Sequence, residues 1–204
     1  MNSRNELKWA IRDDAYMYRD EPFTLKNGAQ TRHYVDCRRM LLVPQHLKAA
    51  SCIVSSVIYA NWEARCVAGV LTGAAPLVAA LGMAHGWPGI WIRGAVKDHG
   101  TKRRVEFASR LSEHDMHSVV LVDDVATSGR TLMDAVEQLR VHDCRVVGCV
   151  VLVDRGYGAK EHLAEIGVPY RYVFTMDDIC MLHKNDNADN GARLAALHAS
   201  RARG

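Results

Sequence analysis

The sequence predicts an α/β fold with a mainly parallel central sheet and helices on both faces. Two observations carry that expectation. The runs VVLV at 119–122 and VVGCVVLV at 146–153 are near-continuous apolar, β-branched stretches, as strands buried on both faces require. Between such runs lie segments of helical period, clearest in LMDAVEQLR, where Leu132, Val136 and Leu139 recur at i, i+4 and i+7. Alternation of the two patterns marks parallel strands joined by helical crossovers.

In chain order, residues 5–19 place Leu7, Ala10, Ile11 and Tyr18 on roughly one side, as in a short helix that Pro22 ends. FTLKNG at 23–28 reads as an extended piece closing on an AsnGly turn, with HYVDCR at 33–38 as its return. Residues 45–66 look helical, with Leu47, Ala50, Val54, Val57, Ile58 and Trp62 available for burial. CVAGVLTG at 66–73 is a buried strand ending in the small-residue loop TGAAP, a helix follows at 77–85, and GIWIRGAV at 89–96 starts as a third strand. KDHGTKRRVE at 97–106 is polar and basic without apolar period, which predicts a long mobile loop or hairpin. VVLV and its helix come next, then the strand RVVGCVVLVD at 145–154, a polar helix near 159–166 and the strand RYVFT at 171–175. The tail turns polar at 184–191 and then helical around Leu194 and Leu197, a peripheral helix or a frayed end.

At 204 residues the chain is long enough for one domain with a sizeable core, and we read 1–204 as that domain. Hydrophobic content of 49% with 24% charged residues is that of a soluble globular protein. No stretch approaches a membrane span and the charged start lacks the apolar core of a secretory signal, so the expectation is a cytoplasmic protein without a membrane partner. Six cysteines without a CxxC pair, and without histidine at zinc-ligand spacing, read as reduced residues and not as a disulfide framework or structural metal site. The formal charge of +3 mildly favours anionic ligands but lacks the concentrated basic stripe of a nucleic-acid binder.

Chemistry concentrates in VVLVDDVATSGRTL at 119–132. The apolar strand stops at Asp123 and Asp124, and Val125, Ala126, Thr127, Ser128, Gly129, Arg130 and Thr131 lead into a helix. Such a turn aims backbone N–H groups and the positive end of a helix at one spot, which suits a phosphate monoester. Carboxylates repel phosphate, so this pair either accepts hydrogen bonds from sugar hydroxyls or holds Mg²⁺ through its waters. The parts describe a ribose-phosphate cradle, although Asp, Thr and Ser also serve plain helix capping. Asp123, Thr72 and Asp154 each close a predicted strand, so they are expected to converge on one crevice.

This run resembles the phosphoribosyl-pyrophosphate (PRPP) signature of the type I phosphoribosyltransferases, and the resemblance implies that family's fold. Four further segments over about residues 20–180 resemble its orotate-specific branch in order and spacing. FTLKNG with HYVDCR is similar to the N-terminal hood, here 1–45, which implies Lys26 beside the base carbonyls and the reacting centre, with Tyr34 and Val35 lining the base pocket. GVLTGAAPL resembles the diphosphate loop and implies that Thr72, Gly73 and Ala74 bind there. IRGAVKDHG resembles the family's VRKEAKDHG, which implies a mobile catalytic loop at 95–107 with Arg93, Lys97 and His99 on the diphosphate, shared across a homodimer interface; Gly94 stands where the family usually carries lysine. Asp154 and Arg155 resemble an AspArg pair whose arginine grips the orotate carboxylate, a task suited to its planar fork of donors.

The resemblance implies transfer of ribosyl 5-phosphate from PRPP to N1 of orotate in pyrimidine biosynthesis. In it Asp123, Asp124, Lys97, His99 and Lys26 are catalytic, Thr127 serves both phosphate and base, and Mg²⁺ is the cofactor, held mainly by PRPP near Asp123 and Asp124. A transferase for another base and a non-catalytic PRPP or nucleotide sensor stay open. A dinucleotide-binding domain does not fit, since no GxGxxG follows any predicted strand.

Overall fold

The structure, a computed structural model, describes residues 3–24, 28, 30–94 and 104–182. Lys26, Lys97 and His99, with most of the expected loop and the tail helix, lie outside the described residues.

The chain opens with helix α1 (Ser3–Ala10), a π-helical turn over Ile11–Ala15, and the antiparallel hairpin of β1 (Tyr16–Thr24) and β2 (Gln30–Val35). The helix expected over 5–19 therefore ends early. Tyr16 pairs with Val35 and both are buried, so cross-strand packing outweighs the helical period of this stretch. Pro22 lies inside β1, where the pairing register shifts between Tyr18 and Phe23 and its missing N–H breaks no ladder bond. The return strand stops at Val35 because Asp36 caps a new helix, α2 (Cys37–Leu41), by accepting from Arg38 N at 3.2 Å. Helix α3 (Pro44–Asn61) follows and starts on proline, whose absent N–H the first helical turn does not need.

The remaining elements build the main sheet. β3 (Cys66–Leu71), α4 (Ala75–His85), β4 (Gly89–Arg93), β5 (Val105–Phe107), α5 (Glu113–Met116), β6 (Val119–Ala126), α6 (Arg130–Val141), β7 (Val146–Asp154), α7 (Ala159–Glu165) and β8 (Tyr170–Thr175) follow in that order. The strands lie side by side as β5-β4-β3-β6-β7-β8, all parallel except β5. Val120, Val122, Val150 and Leu152 pack with Val54, Ile58, Leu77 and Leu81 of α3 and α4 on one face. Leu121, Cys149 and Val151 pack with Leu132, Val136, Leu139 and Leu163 of α6 and α7 on the other. The predicted mainly parallel sheet with two helical layers is thus the observed architecture. The chain moves outward one way from β3 to β4 and the other way from β6 to β7, which makes the β3/β6 border the switch point where ligands of such sheets bind.

Boundaries in the main sheet also differ from expectation. β6 does not stop at the carboxylates but pairs with β7 as far as Ala126 opposite Asp154, because β7 offers backbone partners along its whole length. The end of the expected loop is β5, with Val105 buried opposite Ile92; three residues are too few for a readable alternation. All six cysteines are free thiols, and burial pushes Cys66 up to about 12, leaving it inert. No described helix is long and apolar enough to cross a membrane.

Gly148 on β7 lies directly under the Trp62 indole, inside which a Cβ would fall. Gly148→Ala should therefore cost about 1–3 kcal/mol by overpacking, read from urea denaturation. An unchanged midpoint would show that the indole moves freely.

Candidate active site

A cleft of about 660 Å³ opens at the carboxyl ends of β3 and β6. Its floor is the acidic pair. Asp123 is only 7% exposed, and its Oδ1 accepts from Asp124 N at 2.9 Å, while Asp124 Oδ1 accepts from Val125 N at 2.9 Å. A side-chain hydrogen bond also joins the two carboxyls, and together these bonds fall short of the water that the pair gives up. Burial pushes both carboxyls above the ordinary aspartate range, and the neighbouring Asp124 charge raises Asp123 further. Such a floor attracts cations and hydroxyl donors.

One wall is the loop after β3, where the Leu71–Thr72 peptide is cis and Thr72 and Gly73 face the cleft. A Cβ on Gly73 would fall onto Asp124 Oδ1, so only glycine lets this loop come so close to the floor. Two residues expected here are placed elsewhere. Ala74 is fully buried, its methyl fills the space a side chain at Gly69 would need, and its N–H already donates to Val70 O at 3.2 Å. Arg93 stands at the correct edge, beside Leu71, but its Nε donates to Glu106 Oε1 at 2.7 Å across the β4–β5 ladder.

The second wall is the turn from Val125 to Thr131, every residue of which lines the cleft. Gly129 takes the left-handed conformation (φ 76°) at the start of α6, and no side chain caps that helix. Asp36 caps α2 and Ser112 caps α5, while α3, α4 and α7 share the lack of a side-chain cap. The start of α6, with its first N–H groups and the positive end of its dipole, lies at the wall of the cleft, where a ligand can meet it.

The third wall joins the hairpin to the end of β7. Tyr34 and Val35 line it, the Tyr34 ring stacking on Phe23 at 5.2 Å between centroids. Arg155 is fixed by its own N–H, which donates to Ala126 O at 3.0 Å, and by Nη2, which donates to His33 O at 3.0 Å. Its guanidinium lies 5.8 Å from the Tyr34 ring centroid and 5.9 Å from that of Tyr157. Arg155 Nε is buried without a hydrogen-bond partner, and among the described residues no carboxylate pairs with this cation. Burial lowers its pKa from the usual arginine value. Asp154 does not join the crevice; it is buried, and its Oδ1 accepts from Gly156 N at 2.8 Å, which shapes the loop that carries Arg155.

Sequence reasoning missed Thr24, Asp36 and Arg38, all of which line the cleft. Arg38 Nε and Nη2 each donate at 2.7 Å to the two oxygens of Asp36, and this guanidinium holds the Asp36 carboxyl below its ordinary range. The pair sits near enough to Asp124 to act on its titration, Asp36 raising it and Arg38 lowering it. The capping pattern Asp-x-Arg was the signal that was available.

The floor has a thermodynamic signature. A carboxyl raised in the folded state binds protons that the unfolded chain has released, so stability falls as pH rises above the ordinary aspartate range and stays reduced above the native value. Asp123→Asn should stabilise the protein at neutral pH and flatten that fall. Urea midpoints between pH about 5 and about 8 measure it; parallel profiles for both proteins would contradict the buried-charge account.

Residues 44–169 match the family model described as the phosphoribosyl transferase domain. The orotate phosphoribosyltransferase of Halobacterium salinarum is 34% identical over 180 residues, covering 88% of this chain and 98% of its own length. That of Methanocorpusculum labreanum is 33% identical over 146 residues, 72% of this chain and 81% of the relative. Among solved structures, the orotate phosphoribosyltransferase of Aeropyrum pernix superposes with a TM-score of 0.74 at 31% identity, covering 89% of this chain and 97% of that one. With its acidic floor, phosphate-type turn and half-buried arginine in one cleft, the chain belongs to the phosphoribosyltransferase domain family, in the branch of the orotate phosphoribosyltransferases.

Proposed function

We propose that this protein transfers the ribosyl 5-phosphate group of PRPP to N1 of orotate, releasing diphosphate and forming orotidine 5-phosphate for pyrimidine biosynthesis. The observation that carries the choice of base is Arg155. A half-buried guanidinium with an unmet Nε donor fits a planar carboxylate, which orotate has and uracil and adenine lack. Tyr34 and Val35 flank it as the faces of the base pocket, Thr127 borders both substrates, and Lys26 approaches the base carbonyls.

The rest of the cleft suits PRPP. The N–H groups and hydroxyls from Thr127 to Thr131 hold the 5-phosphate, with Val125, Ala126 and Arg130 completing that wall. Asp123 and Asp124 accept from the ribose hydroxyls and stay close to the positive charge that builds on the ribose as the bond to diphosphate breaks. Thr72 and Gly73 lie against the diphosphate. The donor set also fits Mg²⁺, since paired carboxylates raised by burial are hard oxygen ligands awaiting positive charge. Held mainly by PRPP and through water by Asp123 and Asp124, the ion would offset charge on the diphosphate.

Lys97 and His99 close over the leaving group and exclude water, which would otherwise compete with orotate for the activated ribose. Arg93 joins them once it exchanges Glu106 for the diphosphate. We further infer a cytoplasmic homodimer that shares this loop. Supporting the dimer, an apolar groove of about 520 Å³ with Met83, Trp87, Trp91 and Phe107 on its walls flanks the β4–β5 ladder from which the loop departs.

Purified protein with PRPP, Mg²⁺ and orotate should consume orotate absorbance, while uracil or adenine should not replace it; absence of turnover with orotate would sink the assignment. Arg155→Ala should weaken orotate by about 2–4 kcal/mol and leave PRPP within about twofold, measured as KM for each substrate. Equal losses for both would remove Arg155 from base recognition.

A further inference from the structure

Helix α7 lines no part of the cleft, yet one of its side chains reaches the phosphate turn. His162 Nδ1 lies 2.7 Å from the carbonyl oxygen of Ser128. A carbonyl only accepts, so Nδ1 carries the proton and donates, whether the ring is neutral or cationic. The turn is seated on α7 at a second point, since a Cβ on Gly129 would lie 3.0 Å from Ala159 Cα. A Cβ on Gly158, the last residue of the loop that begins with Arg155, would lie 3.4 Å from the His162 ring. The imidazole therefore stands where the phosphate turn and the base-reading loop meet.

We propose that His162 is a positioning residue for the 5-phosphate, a role that rests on the function proposed above. A trans peptide is planar, with its C=O and N–H pointing in opposite directions. Holding the Ser128 carbonyl toward α7 turns the N–H of Gly129 the other way, into the cleft where the start of α6 is uncapped. The bond thus sets the direction of a phosphate donor without touching the ligand. Freed from it, the Ser128–Gly129 peptide can rotate, helped by the glycine, and present its carbonyl oxygen to the phosphate instead.

Two variants test this. His162→Asn keeps a donor, because the amide Nδ2 stands where Nδ1 stood, whereas His162→Leu fills similar space with none. For the Leu variant the KM for PRPP, and the Kd for ribose 5-phosphate by calorimetry, should rise about tenfold, the size of one lost hydrogen bond. At saturating PRPP, kcat should stay within about twofold, the KM for orotate should be unchanged, and the Asn variant should recover most of the loss. Ribose 5-phosphate binding by the Leu variant equal to the parent's would overturn the proposal. Equal impairment of both variants, in step with their melting temperatures, would also overturn it by reducing His162 to packing. Because ribose 5-phosphate binding is read without orotate, a His162-dependent phosphate site in a protein that does not turn over orotate would refute the base assignment and leave this inference standing.

Discussion

Two adjoining carboxyl groups near the end of one strand, Asp123 buried and Asp124 half-buried, set the terms for everything around them. Asp123 and Asp124 have one backbone donor each, from Asp124 and Val125, and nothing in a hydrophobic sheet repays that desolvation. They are tolerated at the β3/β6 border because the chain leaves the sheet there in opposite directions and a crevice must form. The surroundings then follow. Gly73 carries no side chain because Asp124 occupies its space, α6 begins without a cap so that its positive end faces the cleft, and Arg38 and Arg155 rise from the walls. Negative floor and positive rim together match a sugar that carries phosphates at both ends.

The hairpin at the N-terminus does more than cover the cleft. The carbonyl of His33 is the partner that holds Arg155 Nη2, and Tyr34 supplies the aromatic face against its guanidinium. A residue at the end of β7 is thus aimed by a strand more than a hundred positions earlier in the chain, which, on the function proposed above, ties base selection to the packing of the hairpin. On the function proposed above, stability and function pull against each other here as they do at the acidic floor, because both places withdraw a charged group from water.

Much of this was legible in the sequence, for reasons that the exceptions make clear. β3, β6 and β7 are buried on both faces, so their composition alone betrays them, and the turn at 127–131 is local chemistry read in one stretch. The start of β1 at Tyr16 was hidden because only its pairing with Val35, across the hairpin, decides between helix and strand. Ala74 and Arg93 have residue types suited to a diphosphate site, but their contacts depend on Gly69, Val70 and Glu106. Asp36 and Arg38 looked like the tail of a strand. Their place in the cleft comes from a five-residue helix, α2, which is too short to announce itself by period.

The β4–β5 ladder has a consequence of scale. The N–H of Arg93 donates to Arg104 O at 2.7 Å, so the chain leaves and returns at a single rung. His99 is about five residues from Arg104 along the sequence, which bounds its distance from that rung at about 17 Å for a fully extended chain. A side chain on so short a tether meets its target at an effective concentration in the millimolar range, about what a short linker provides. On the function proposed above, that tether multiplies whatever affinity Lys97 and His99 have for the diphosphate, so each needs less of its own.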